Sequence, residues 1–83
     1  MSLRSELSAL FSTTTLRRAD RIAPEKVDAL AVKEAAGALL RLKGHPDKQA
    51  ELVRAMAPKT AAALCRWLRD PSFWGLVAGV TRH

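Results

Sequence analysis

Four prolines, at positions 24, 46, 58 and 71, constrain this chain more than any other feature. Each is followed by good helix formers with apolar residues at helical spacing. Proline suits the first position of a helix, where its missing N–H would have no intrahelical partner and its φ is already set. Inside a helix it would cost about 3 kcal/mol. The prolines therefore read as helix starts, and no segment shows the alternation and turn residues of a strand. The expected fold class is all-α: a single helical domain over residues 1–83, built as a compact bundle of five or six helices. The last three are expected to be short and Pro-initiated.

Upstream of Pro24, Ser2 is placed to cap a first helix with Leu3, Leu7, Leu10 and Phe11 on one face. The run Ser12-Thr13-Thr14-Thr15 ends it, because β-branched Thr is weak in helix interiors and its hydroxyl competes for backbone groups. The same hydroxyls can cap a second helix over 16–22. The longest helix is expected over 24–43, with Val27, Ala31, Ala35, Ala38 and Leu42 as its inward stripe and Leu30 and Leu39 at the edges. Gly44 supplies its left-handed stop. Gly37 costs about 1 kcal/mol relative to Ala, which suggests a close helix crossing. Helices over 46–57 and 58–69 follow with almost no linker, and Asp70 is a natural N-cap for a last helix over 71–80. Asp47 and Glu51 early in their helix, and Arg66 and Arg69 late in theirs, suit the helix dipole.

The last three helices repeat with a period of 12 to 13 residues. Six positions after the four prolines stand Leu30, Leu52, Leu64 and Val77; seven after stand Ala31, Val53, Cys65 and Ala78. Met56 and Leu68 stand ten after Pro46 and Pro58. Such units cannot bury their apolar faces alone and must stack. The segment 45–70, with Pro46, Asp47, Ala50, Leu52, Val53, Met56, Pro58, Ala62, Leu64 and Leu68, resembles the Pro-initiated helical hairpins of two families. These are the cytoplasmic N-terminal domain of MgtE-type magnesium transporters and the middle domain of the flagellar rotor protein FliG. What the resemblance implies is shape: a compact stack of helical hairpins that offers a surface to other proteins.

Chemistry of the enzymatic kind finds no foothold in the sequence. Cys65 is the single cysteine, so neither an intramolecular disulfide nor a Cys-based zinc site is expected, and a reducing, cytoplasmic setting of bacterial style fits best. Cys65 falls on an apolar helix face and reads as a small core residue. His45 sits at a helix junction and His83 at the end of the sequence given. No carboxylate pair, Gly-rich phosphate loop or metal-ligand spacing is present, so no enzyme, metal, cofactor or small-molecule substrate is expected. No secretory leader is visible, and the apolar run 73–80 is far shorter than the ~20 residues that span a bilayer.

Fourteen Lys+Arg against eight Asp+Glu give a formal charge of +6. That favours a nucleic acid, an anionic membrane or an acidic protein, although acids are interleaved with the bases throughout. Arg17, Arg18 and Arg21 cluster within about a turn, and Lys59, Arg66 and Arg69 form a second ridge. These six are the candidate phosphate-binding residues. A helix-turn-helix starting near Gln49 is disfavoured, because its register would bury Arg66 and expose Leu64. Three of the four aromatics fall between residues 67 and 74. Trp67, Phe73, Trp74, Leu76 and Val80 are the candidate partner-binding anchors. An apolar-all-round helix over 71–80 should be either the central strut of the bundle or an interface. The first functional expectation is thus a non-catalytic adaptor or regulatory protein that binds a protein partner or a second copy of itself as a dimer. The alternative is a small basic nucleic-acid-binding regulator. Attachment to anionic membrane through the basic face is a third reading.

Overall fold

The computed structural model describes residues 9–81, with side chains described through residue 79. The expected helix beginning at Ser2 lies largely outside the described residues; within them, 9–11 form a turn that buries Phe11. Helix α1 spans Thr13–Arg21 and is opened by Ser12, whose Oγ accepts from the Thr15 N–H at 3.2 Å. One hydroxyl of the run thus caps this helix, as expected, but the helix begins at Thr13 rather than Leu16, with the three Thr in its first turn.

Pro24 starts only a single 3-10 turn, Pro24–Lys26. The long helix, α2, spans Ala29–Arg41 and is shorter than the 24–43 expected from the proline. Asp28 caps it by accepting from the Ala31 N–H at 3.1 Å. A carboxylate N-cap contributes about 1 kcal/mol, enough to fix the first helical residue five positions past the proline. Gly44 ends the segment as expected, at φ +90°, a conformation open to Gly at little cost.

Helix α3 spans Pro46–Ala55 and α4 spans Pro58–Arg69; both take proline at the start. Helix α5 spans Ser72–Thr81. Pro71 stands just before it, in a turn where the Phe73 N–H donates to the Asp70 carbonyl at 3.1 Å. Asp70 is the C-cap of α4, its N–H bonded to the Arg66 carbonyl at 2.8 Å. Its carboxylate accepts the Ser72 hydroxyl at 2.6 Å. The described chain is thus an all-α compact globule of five helices, with a Cα radius of gyration of 12.0 Å. A domain of this length is expected at about 11–12 Å.

The central strut is α4, not the terminal helix. Ala61, Ala62, Ala63, Leu64 and Cys65 are all buried, a full turn with no outward side. Small side chains let neighbours approach from several directions: α1 packs on α4 most extensively, and α2 and α5 also touch it. Helix α5 rests on the 3-10 turn, α2 and α4 through Phe73 and Val77, which are 2% and 0% exposed. Its other side faces outward, so its uniform apolar character does not reflect burial all round.

The inward face of α2 is centred on Val32 and Leu39, each 1% exposed, rather than on the alanine stripe. Leu30, at the far edge of the expected stripe, is 67% exposed. Burying a Val or Leu side chain contributes about 1.5–3 kcal/mol, against roughly 0.8 for one methyl. The helix buries Val32 and Leu39, leaves the alanines half-buried, and exposes both Leu30 and Leu40. Gly37 answers to no close crossing: a Cβ built there meets no atom within 4 Å. One polar side chain belongs to the described core. Gln49 is 9% exposed, and its Nε2 donates to the Leu39 carbonyl at 3.1 Å, tying α3 to the last turn of α2.

Candidate interaction surfaces

The sequence-derived anchors separate into two groups. Trp67 at the end of α4 and Trp74 near the start of α5 stack, with ring centroids 4.4 Å apart and an interplanar angle of 24°. Both are half-buried. Lys33 of α2 places Nζ 5.8 Å from the Trp74 ring centre, at the edge of cation–π range. The pair is therefore a hinge plate that fixes α5 against α4, with α2 alongside. Phe73 belongs to the buried core and offers a partner nothing. Leu76 points the other way and is 59% exposed. The Val80 side chain lies outside the described residues.

Along α5 the exposed described positions are Ser72, Gly75, Leu76 and Gly79. Surface helices ordinarily carry charge on the side away from the core. From Phe73 to Val80 this one carries none. A Cβ built at Gly75 or Gly79 meets nothing within 4 Å, and neither glycine has a positive φ. Nothing in the described packing requires glycine at either position.

The basic candidates also divide. Arg66 is half-buried, its guanidinium carbon 5.5 Å from the Phe73 ring centre and its Nη2 3.5 Å from Asp70 Oδ2. Arg69 Nη1 donates to Asp20 Oδ1 at 3.0 Å, joining the ends of α4 and α1. Two of the six expected phosphate ligands are thus engaged within the fold. Arg17, Arg18, Arg21 and Lys59 are exposed. Of these, Arg18, Arg21 and Lys59 line one cavity of about 300 Å³, whereas Arg17 lies outside its lining. Arg54 of α3 joins Arg18 in the lining of a neighbouring cavity of about 360 Å³. Sequence reasoning missed Arg54, because only the tertiary packing of α1 beside the α3–α4 corner brings it to Arg18.

Cys65 is 0% exposed. Burial pushes its thiol pKa above the ordinary value of 9.0; Arg69 opposes the shift and Asp20 adds to it. A buried thiol that resists ionisation is a poor nucleophile. Among the described residues, no three His, Cys, Asp or Glu side chains come together as a metal-binding group, and no helix is long and apolar enough to cross a membrane. Comparison with known proteins finds no matching family model, no similar curated protein and no similar solved structure.

Proposed function

We propose that the chain is a non-catalytic interaction module that associates through the outward face of α5, with a second copy of itself as the partner. The observation that carries this reading is the character of that face. It is free of charge from Phe73 to Val80, it displays Leu76 at 59% exposure, and it holds two glycines that the fold does not use. Each helical glycine costs about 0.8–1 kcal/mol relative to alanine. Glycines at i and i+4 beside an exposed leucine suit close approach by another helix. A pair of equivalent faces related by a two-fold axis satisfies the requirement with one surface.

A protein partner is favoured over nucleic acid because Arg66 and Arg69 are held in intramolecular ion pairs, and the aromatics needed for base stacking pack internally. Sedimentation equilibrium on the wild-type chain and on Leu76→Glu tests the proposal. Concentration-dependent association that the variant abolishes, with helicity unchanged by circular dichroism, supports it. A wild-type chain that stays monomeric at every concentration refutes it.

A further inference from the structure

A second candidate surface shares no residue with α5. Two cavities, of about 360 and 300 Å³, lie side by side where α1 meets the α3–α4 corner. Both are lined by Arg18 and Pro58, so the two adjoin at that pair, and we read them as the halves of one groove. Four cations line the groove: Arg18 in both halves, Arg54 in one, and Arg21 and Lys59 in the other. Among the described residues neither lining contains an Asp or Glu. None of the four takes part in the two ion pairs of the described structure, which belong to Arg66 and Arg69. Four uncompensated positive charges along one groove create a local field that the interleaved sequence does not suggest.

The rest of the lining decides what kind of anion fits. Val53, Met56 and Ala61 give one half an apolar floor, and Ile22 and Ala62 do the same for the other. Among the described residues no aromatic lines either half, so stacked bases would find no platform there. A cationic rim over an apolar floor matches a segment that carries carboxylates on its edges and aliphatic side chains beneath.

We propose that this groove binds an acidic amphipathic segment of a partner protein, its carboxylates meeting Arg18, Arg21, Arg54 and Lys59 and its aliphatic side chains lying on the floor. The inference stands apart from the proposed role of α5, and the variants separate the two.

The probe is a fluorescein-labelled synthetic helix of Glu and Leu, with Leu at i, i+3, i+4 and i+7, read by fluorescence anisotropy. Poly-glutamate of equal length and a labelled DNA duplex serve as competing probes. The expected result is binding of the amphipathic peptide that weakens as salt is added, because exposed charges are screened. Arg18→Gln and Lys59→Gln should each weaken it about 3- to 10-fold, and Leu76→Glu should leave it unchanged. Both Gln substitutions are at exposed positions, and circular dichroism checks that the fold is retained. Three outcomes overturn the proposal: no binding at low salt, equal binding of poly-glutamate, or tighter binding of duplex DNA that the same variants weaken.

Discussion

Replacing Gly75 with alanine should make the fold more stable and its association weaker. The two signs come from separate parts of the structure. Gly75 is the fourth residue of the ten in α5, well inside the helix. Its φ is not positive, and an added Cβ meets no atom within 4 Å. Alanine therefore brings the helix-propensity gain of about 0.8–1 kcal/mol with no steric penalty. The methyl stays in solvent, so no burial contributes. For a domain of this size, that gain raises Tm by roughly 4–8 °C. If a second α5 packs on this face, the same methyl stands between the helices. Forcing a methyl into a close contact costs about 1–3 kcal/mol, a loss of roughly 5- to 150-fold in affinity. Thermal denaturation by circular dichroism at low protein concentration reads the first effect, since association then contributes little. Sedimentation equilibrium reads the second. A lower Tm would refute the open space around Gly75. An unchanged dissociation constant would refute close approach at this face. Gly79→Ala should act in the same directions with a smaller thermal gain, because it lies two residues from the helix end, where fraying weakens propensity effects.

Two further outcomes follow from the core and the turns. Gly44→Ala forces a side chain into φ +90° and should cost about 1–2 kcal/mol, read as a Tm drop of at least about 4 °C; an unchanged Tm would show that the turn relaxes to negative φ. For Cys65, burial raises the folded pKa above the unfolded value, so the neutral thiol's contribution is fully present below about pH 9 and is lost as pH rises through the folded pKa. Urea midpoints measured from pH 7 to 10.5 should therefore fall more for the wild type than for Cys65→Ala, and parallel curves would remove the thiol from the account.

What was legible in the sequence was whatever a short window decides. Pro46 and Pro58 begin helices because a proline at the first position needs nothing beyond its own turn. The positions six and seven after these prolines are buried or half-buried for the same local reason: a fixed start fixes the phase of the inward face. Pro24 broke the pattern where a competing local signal was stronger. Asp28 followed by Ala-Leu-Ala-Val is also an N-terminal signature, and the carboxylate took the helix start. The rotation of α2 depended on where α4 and α5 meet it, since Val32 is buried while Leu30 and Leu40 are exposed, and a stripe of apolar letters does not show that.

Identifying the strut required information that a single helix does not hold. Helix α5 is the more uniformly apolar, yet α4 is the one surrounded. A helix is enclosed when other helices can reach it from several sides, and the small residues Ala61, Ala62 and Ala63 permit that approach whereas a Trp or Leu would hold neighbours off. Ion pairs divide in the same way. Arg66–Asp70 is an i,i+4 pair readable from sequence. Arg69–Asp20 spans 49 positions and exists only after α1 has packed on α4. That pairing, together with the meeting of Arg18 and Arg54, moved the basic surface from a ridge on α4 to a groove beside α1.

The central position of α4 also orders the two candidate surfaces. Its first turn, through Pro58, Lys59, Ala61 and Ala62, lines the cationic groove. Its last turn, through Trp67, fixes α5. Along the axis Lys59 and Trp67 are about 12 Å apart at 1.5 Å per residue. Sites separated by more than about 10 Å and sharing no partner behave additively. Lys59→Gln and Leu76→Glu should therefore act independently when combined, the first on peptide binding and the second on self-association. Cys65→Ala lies in the packed column between them and reaches both only through stability. A coupling between the exposed variants, with the fold intact, would mean that α4 moves as a rigid lever between its ends.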